Sequence, residues 1–494
     1  MIGEKKRTEP LFYHIKVDAL IPENHLLRLV TKYVDFSFIR EKVKHLYSHT
    51  GRPSVDPEIL LKMLLVGYLY GINSERRLCE EINMHIGYRW FVGLTLEDTI
   101  PDHSTFSKNR HERFSESGIF QDLFDEIVGH CIKAGLLTGR HLTVDSTNIK
   151  ANASIKSLEP IVIEMKPQEY IQKLERENPV KEEKPWEPGE GYPHRGEKIS
   201  NETHRSQTDP DARLARKTSM GATELSHGAT YVMDSKSRII LGTDIGRPDK
   251  NTDCKNALKQ IQRIKQTYNI TPQTLGADKG YCAGEFINAV LKERIQPHIP
   301  IVDNRSRNEK GIYPIEKFTY DKQRNIVICP EGKEMKYHGI HKLSRQYVYR
   351  ASVKDCGVCP RKTACTRDRA RSVSYHLYED ALQEARRLNR TAEYRISQRM
   401  RKRIEELFGE AKEYMGLRRA KFRGAAFVRE QVMMTATVQN IKRLVKMLAR
   451  RVPQKNGAEA NKPLISPPLT RITELFYRFF RHGSILLCDE SKCF

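Results

Sequence analysis

The spacing of apolar and polar residues changes along the chain, and its first part carries a helical pattern. Asp56, Pro57 and Glu58 are typical of a helix start, with an N-cap acceptor, a proline at the first helical position and an acid in the first turn. A second start at Asp102 leads into a basic helix. The pattern predicts an all-α N-terminal domain over residues 1–130. A basic helix at its end suits docking to DNA, although a solvated helix face has the same pattern.

A pattern typical of strands follows this domain. The strand candidates are residues 142–145, 229–233, 238–243, 274–277 and 297–302. Residues 234–237, Asp-Ser-Lys-Ser, are a turn signal that makes the second and third candidates a hairpin. Helical stretches at 253–268 and 283–294 separate the later strands, and helices resume over 394–449. This order is that of a ribonuclease-H-like core, an α/β (α+β) fold with a mixed sheet flanked by helices. We assign it to residues 135–450.

Two insertions interrupt the predicted core, and a tail follows it. Residues 150–215 are rich in Glu, Lys, Pro and Asn and have little apolar surface to bury, so we expect a long, partly disordered excursion. Residues 303–390 form the second insertion and are rich in cysteine. The tail covers residues 451–494.

Composition narrows the range of partners. The 494-residue chain has a formal net charge of +23 and a pI of about 9.5, which favours a polyanion such as DNA or RNA. An acidic membrane surface is the alternative, but no apolar run approaches the roughly twenty residues of a spanning helix.

The N-terminus lacks a signal-type apolar region. We therefore expect a cytoplasmic protein whose ten cysteines are thiols or metal ligands.

Three acidic residues stand where a two-metal nuclease needs them. Asp145 and Asp278 each end a strand candidate, and Glu405 lies on a later basic helix. Carboxylates that converge from two strand ends and a helix can hold divalent cations, which activate the nucleophile and stabilise the leaving oxygen of a phosphodiester. Taken singly, either aspartate has the simpler interpretation of a turn or cap residue.

The helix around Glu405 presents a charged face. Arg401, Glu405, Phe408 and Lys412 recur at spacings of four, three and four, so they share one side of the helix. The two cations keep the carboxylate ionised and can bind substrate phosphates. Ordinary ion pairing on an exposed helix is the alternative. Two other acids of this helix, Glu406 and Glu410, are rival candidates that periodicity does not exclude.

These residues resemble a family, the DDE transposases of bacterial insertion sequences. Arg401-x3-Glu405-x6-Lys412 is similar to the Tyr-x2-Arg-x3-Glu-x6-Lys signature of that family, with Gln398 in place of the tyrosine. Val-Asp-Ser-Thr at Asp145 and Ala-Asp-Lys-Gly-Tyr at Asp278 resemble its first and second catalytic motifs. The resemblance extends from about residue 10 to about residue 445 and includes the N-terminal helices and two shorter motifs, Thr-Asp-Pro-Asp-Ala-Arg at 208–213 and Arg423-Gly424.

The resemblance implies a function. Asp145, Asp278 and Glu405 would bind two Mg²⁺ or Mn²⁺ ions, and the protein would recognise terminal inverted repeats. It would nick double-stranded DNA at the element ends by hydrolysis, and the freed 3′-hydroxyl would attack target DNA. No covalent protein–DNA intermediate is implied. A homodimer on DNA, at the nucleoid of a bacterium, is also implied.

Four cysteines of the second insertion form a separate candidate site. Cys356 and Cys359 make a Cys-x2-Cys pair, with Cys365 after it and Cys329 before it. Four thiolates can build a closed tetrahedral Zn²⁺ site, although these spacings do not match a regular zinc ribbon. Free or redox-active thiols are the alternative.

A basic segment follows the predicted catalytic helix. It carries four cationic side chains, Arg418, Arg419, Lys421 and Arg423. Its place after Lys412 predicts contact with DNA phosphates near the mouth of the site, where binding depends strongly on salt. A solvated basic turn is the alternative.

The sequence as a whole favours a metal-dependent DNA transposase. One alternative is a nuclease of the same fold that cuts DNA without strand transfer. The other is a non-catalytic, zinc-containing DNA-binding protein derived from a transposase. All three acids are present, which argues against a decayed enzyme.

Overall fold

The structure is a computed structural model that describes residues 16–48, 50, 54–114, 117–161, 199–216, 221–301, 312–341 and 345–451. The described residues up to Ala449 belong to one compact unit. The predicted tail lies outside the described residues except for Arg451. None of the described helices is long and apolar enough to cross a membrane.

The N-terminal part is helical, as predicted. Its described helices are α1 (Val17–Leu20), α2 (Leu26–Tyr33), α3 (Phe38–Val43), α4 (Pro57–Tyr70), α5 (Glu75–Met84), α6 (Ile86–Val92), α7 (His103–Lys108) and α8 (Ile119–Lys133), with a π-helical segment at Asn109–Phe114 after α7. The Asp56 side chain caps α4 by accepting the Glu58 N–H at 2.9 Å, and Gly71 ends this helix in the left-handed region. The basic helix predicted after Asp102 is only partly a solvated face, because Arg110 is buried.

The next part forms a mixed sheet. Its strands are β1 (His141–Lys150), β4 (Arg213–Arg216), β5 (Thr223–Asp234), β6 (Ile240–Gly246), β7 (Thr274–Gly276) and β8 (Gln296–His298), while β2 (Leu158–Pro160) and β3 (His204–Ser206) pair separately. The sheet order is β6-β5-β1-β7-β8, with β4 beside β6 on the same edge of β5. The first three of these strands are antiparallel, whereas β1, β7 and β8 are parallel. This is the ribonuclease-H-like arrangement that the sequence predicts.

Helices α9 (Lys250–Tyr268) and α10 (Gly284–Lys292) connect the later strands, close to their predicted bounds. The described ends of the first insertion contain β2, β3 and β4, and its residues 162–198 and 217–220 lie outside the described part of the chain. The partly disordered excursion expected over 150–215 therefore falls largely on residues that are not described.

The second insertion contains a sheet that the sequence pattern did not predict. Its strands are antiparallel neighbours in the order β9 (Thr319–Asp321), β10 (Ile326–Ile328), β11 (Glu334–His341), β12 (Gln346–Arg350) and β13 (Ser372–His376). Two short helices, α11 (Val353–Gly357) and α12 (Lys362–Cys365), lie between the last two strands. A small core rich in tyrosine supports this sheet, including Tyr349 and Tyr375.

Three helices complete the described chain: α13 (Glu379–Leu388), α14 (Ala392–Tyr414) and α15 (Ala425–Arg451). Helix α14 packs against β1, β7 and β8. Helix α15 is buried over most of its length, and the Asn440 side chain exchanges two 2.8 Å hydrogen bonds with the backbone of Ile240 in β6. One hydrophobic core runs from Leu27 to Val445. The boundary between the predicted domains 1–130 and 135–450 stays a prediction.

Candidate active site

Asp145 lies on β1, in the centre of the mixed sheet. Its side chain is only 15% exposed, and its Oδ1 accepts the Ser146 N–H at 2.8 Å. Burial, together with the nearby carboxylates of Asp278 and Glu405, raises the pKa of Asp145 to about 7 against the opposing effects of the Ser146 N–H and Arg401. The site therefore disfavours a negative charge on Asp145 and favours an added positive charge.

Asp278 follows β7 and lies at the same level of the sheet. Thr143 of β1 pairs with Gly276 of β7, so Asp145 and Asp278 each come two residues after a matched pair. The Asp278 Oδ1 accepts the Gly280 N–H at 2.7 Å and caps the short turn at Lys279–Tyr281. Asp278 therefore caps a turn, as an isolated turn residue would. It also lies next to Asp145 at the end of the neighbouring strand.

Glu405 approaches from α14 and is joined to Asp145 through Arg401. The Arg401 Nη1 lies 3.2 Å from Glu405 Oε1 and 3.7 Å from Asp145 Oδ2. The Glu405 side chain is 57% exposed. The rival acids have other partners, since Glu406 lies 2.7 Å from Arg238 and Glu410 lies 3.2 Å from Arg443. Of the three acids compared, Glu405 is the one that shares a cation with Asp145.

Two contacts fix α14 against the strand ends. The Gln398 amide donates to the His298 carbonyl at 2.8 Å and to the Ala277 carbonyl at 3.4 Å. A Cβ at Gly276 would lie 2.8 Å from Ser397 Oγ, so the glycine allows the helix to approach β7 closely. Gln398, the departure from the family signature, bridges the ends of β7 and β8.

A fourth acid, Asp253, lies beside the site. It is in the first turn of α9, and its carboxyl group hydrogen-bonds to the Ser146 side chain. Burial raises the pKa of Asp253 to about 6, with Asp249 and Asp278 adding to this effect. Sequence reasoning missed Asp253, because an acid in the first turn of a helix is common and has a local electrostatic explanation.

The basic segment after α14 is hydrogen-bonded to the end of β1. The Lys150 N–H donates to the Arg418 carbonyl at 3.1 Å, and the Ala420 N–H donates to the Lys150 carbonyl at 2.8 Å. The three arginines of the segment are exposed, and Arg418 is paired with Glu413. This backbone pairing holds the segment five residues from Asp145 along β1. Closer to the acid, Lys412 donates to the Thr147 hydroxyl.

Lys421 does not share this exposure. Its ammonium lies 4.1 Å from the centre of the Tyr68 ring, and burial lowers its pKa to about 8. The prediction that Lys421 contacts DNA is therefore not supported, because its charged group is turned towards the protein. A run of basic residues in sequence does not show which one faces inward.

The motif at 208–213 explains how the basic segment ends. The Asp209 Oδ1 accepts the Gly424 N–H at 3.3 Å, and the Asp211 Oδ2 accepts the Ala425 N–H at 2.9 Å. These carboxylates cap the N-terminus of α15. The Asp209 Oδ2 also lies 3.0 Å from Nε2 of buried His227. The two short motifs of the family resemblance therefore contact each other.

The four cysteines of the second insertion also lie near one another. Burial raises the pKa of the Cys365 thiol, and Cys356, Cys329 and Cys359 act on it in the same direction. All four are free thiols. Across the described residues, no three side chains of His, Cys, Asp or Glu stand in an arrangement that could hold a metal ion. The predicted Zn²⁺ site is therefore unsupported, and the alternative of free or redox-active thiols stays a prediction.

Comparisons with known proteins give two family matches. A transposase domain model (DUF772) matches residues 15–112, and a transposase DDE domain model matches residues 328–445. The first falls on the N-terminal helices, and the second covers most of the cysteine-rich insertion, α14 and most of α15. No curated protein matches the chain.

Two solved structures align with the chain at low similarity. One is a piggyBac transposase synaptic complex with hairpin DNA, at 9% identity and a TM-score of 0.29, covering 94% of this chain and 86% of that one. The other is a Mos1 transposase paired-end complex with a left transposon end, at 11% identity and a TM-score of 0.15, covering 51% and 60%. At these TM-scores neither alignment carries an argument. The two family models are therefore what links the chain to known proteins: residues 15–112 match a transposase domain, and residues 328–445 match a transposase DDE domain.

Proposed function

We propose that this transposase cuts and joins DNA at a site formed by Asp145, Asp278 and Glu405. The observation that carries the proposal is that three acids from distant segments lie near one another: Asp145 and Glu405 share Arg401, and the Asp278 carboxylate is close enough to raise the pKa of Asp145. In this reaction water cleaves a phosphodiester at the element end and frees a 3′-hydroxyl. That hydroxyl then attacks a phosphodiester of target DNA and displaces a new 3′-hydroxyl.

The donor chemistry of this site suits divalent cations, although the three carboxylates are not arranged around a metal ion in the described structure, where Arg401 lies between Asp145 and Glu405. Carboxylate oxygens are the ligands that Mg²⁺ and Mn²⁺ prefer, and the raised pKa of Asp145 indicates a place where added positive charge is favourable. Bound at these carboxylates, two such ions would activate the attacking oxygen and stabilise the leaving one. Zn²⁺ at the cysteines is not part of the proposal.

The surrounding cations are proposed to hold DNA. Arg401 and Lys412 lie beside the acids, where they can bind the phosphates that flank the reacting bond. The exposed Arg419 and Arg423, with Arg418, extend this surface along the end of β1. Lys421 is left out because it faces inward.

The substrates are proposed to be the element ends, with their terminal inverted repeats, and a target duplex. Joining two ends to one target requires that both be held together, for which a homodimer on DNA is the simplest arrangement. Such a protein would act in the cytoplasm at the bacterial nucleoid, where its DNA lies.

The test uses a plasmid that carries the DNA flanking this gene. Asp145→Asn, Asp278→Asn and Glu405→Gln should each lose Mg²⁺-dependent cleavage and joining by a factor of roughly a hundred or more, because each removes a charged cation ligand. DNA binding in a mobility-shift assay should survive. Glu406→Gln is the matched control on the same helix turn, and it should cut and join like the wild type because its partner is Arg238.

Each other outcome supports a different function. Cleavage without joined products would indicate a nuclease of the same fold. Tight DNA binding without cleavage by the wild type would indicate a DNA-binding protein. Full activity in Asp145→Asn would show that the acids are not the catalytic site.

A further inference from the structure

Three side chains next to Asp145 form a hydrogen-bonded series. The Tyr281 hydroxyl donates to Ser146 Oγ at 3.1 Å. The Ser146 hydroxyl is in turn bonded to the carboxyl group of Asp253. The Ser146 backbone N–H donates to Asp145 Oδ1 at 2.8 Å. The hydrogen bonds of the series therefore meet at Ser146, the residue next to the proposed catalytic acid Asp145.

The three residues come from three different elements. Ser146 is on β1, Tyr281 ends the short turn that Asp278 caps, and Asp253 is in the first turn of α9. The Tyr281 ring is only 2% exposed, and burial raises the pKa of its hydroxyl, so it remains a neutral donor. The series thus connects the two strands that carry the aspartates to the helix beside them.

The direction of the hydrogen bonds has a consequence for Asp145. The Ser146 hydroxyl has a single proton to donate. Two carboxylates are bonded to Ser146, that of Asp253 at the side chain and that of Asp145 at the backbone N–H. Since the hydroxyl accepts from Tyr281 and donates to Asp253, its proton is directed away from Asp145. The Asp145 carboxylate then has a fixed Oδ1, held by the backbone, and an Oδ2 that faces Arg401.

We propose that Tyr281, Ser146 and Asp253 are positioning residues that hold Asp145 ready to bind a divalent cation. This inference rests on the proposed function, because it concerns the same site. Groups that orient a metal ligand typically change metal affinity by roughly 10- to 100-fold when removed. None of the three needs to touch DNA or the reacting atoms.

The test measures Mn²⁺ binding to the full-length protein by calorimetry and by the electron paramagnetic resonance of the free ion. Tyr281→Phe removes one hydroxyl and keeps the buried ring, and Asp253→Ala removes the acceptor. Each should weaken Mn²⁺ binding roughly tenfold or more. The double variant should be little worse than either single variant, because both changes break one series. Asp253→Asn, which keeps an acceptor without the charge, should recover part of the loss.

Two controls separate positioning from general effects. Tyr268→Phe removes another tyrosine hydroxyl that is not part of the series. This hydroxyl donates to Asp125 Oδ1 at a distance of 2.6 Å. Glu285→Gln removes an acidic charge from the first turn of another helix, α10, where Glu285 pairs with Arg345 away from the series. Both should bind Mn²⁺ like the wild type. Circular dichroism checks that each variant is folded, and Ser146→Ala provides a third break in the series if one of the others does not fold.

The outcomes also separate this inference from the proposed function. Wild-type Mn²⁺ affinity in both Tyr281→Phe and Asp253→Ala would overturn the inference, and so would an equal loss in the two controls. Asp145→Asn in the same titration tests the site itself. Loss of Mn²⁺ binding in Asp145→Asn alone would leave the proposed function standing without the positioning series, whereas unchanged binding in Asp145→Asn would refute both.

Discussion

The carboxyl group of Asp145 is in an environment that disfavours its charged form. It is buried, and two further carboxylates lie near it, so its pKa is raised to about 7 from an ordinary value near 4. Between about pH 4 and pH 7 the folded protein holds a proton that the unfolded chain has released. The contribution of this group to stability therefore falls as the pH rises through that interval.

Asp145→Asn should for this reason be more stable than the wild type when divalent cations are absent. The gain should approach a few kcal/mol above pH 7, with about 4 kcal/mol as the upper limit for a shift of about three pKa units, and should disappear below about pH 4. Thermal unfolding in a chelator across this pH range measures it. Added Mg²⁺ should stabilise the wild type and narrow the difference. An equal melting temperature of the two proteins at pH 8 in chelator would contradict the assigned environment.

At the level of single residues, the sequence led to the three acids of the proposed site but not to their surroundings. Asp145, Asp278 and Glu405 could be named because strand ends and a helix face bring such acids together. Asp253 could not, since a first-turn acid has a purely local explanation. The inward position of Lys421 could not be predicted either, because the spacing of basic residues does not reveal that one of them lies against Tyr68.

At the level of elements, the order of strands and helices was predictable and the inserted sheet was not. Strands β1 and β5 are longer than the apolar runs that marked them, since each continues through polar residues that pair along the sheet. The strands β9 to β13 are short and carry many polar and basic residues, so their pattern resembled that of a loop. The junction between α14 and α15 depends on acids more than 200 residues earlier in the chain, which no local pattern reveals.

This junction gives an element-scale prediction. Asp211→Ala should lower the free energy of unfolding by about 1 kcal/mol, the usual effect of a lost helix cap. Asp209→Ala should lower it by more, roughly 2–3 kcal/mol, because it also leaves buried His227 without its acceptor. Urea unfolding followed by circular dichroism compares the two. An equal or smaller loss in Asp209→Ala would show that its bond to His227 does not contribute.

At the level of the whole molecule, a buried ion pair joins the N-terminal helical part of the chain to helix α15. Arg110 Nε lies 2.6 Å from Glu430 Oε1, and its Nη1 lies 2.8 Å from Glu75 Oε1. The Arg110 guanidinium also lies 4.8 Å from the centre of the Phe422 ring, at the end of the basic segment. The N-terminal helices are thus tied to α15 and to the segment before it by charges that water cannot reach.

Arg110→Met should destabilise the protein strongly, by about 3–5 kcal/mol, because Glu430 is then buried without a partner. The double variant Arg110→Met/Glu430→Leu should recover much of this loss, since it removes the unpaired charge as well. Arg113→Met is the control, as Arg113 bonds to Asn109 at 2.7 Å on the same segment and has no buried acid to leave behind. Melting temperatures measure all three. A similar loss in both single variants would indicate that the network has no special role.

Arg110 and Glu430 are 320 residues apart along the chain. During synthesis, the ion pair between them can therefore form only after most of the chain has been made. A ribosome that has reached Ala277 has made one of the three proposed catalytic acids, and the third comes only with α14. A chain that ends before Glu405 therefore lacks one of the proposed catalytic acids, and one that ends before Glu430 lacks the buried ion pair, however well its first helices have folded. For a protein proposed to break the DNA of its own host, this order of assembly confines the damaging activity to chains that extend through α14.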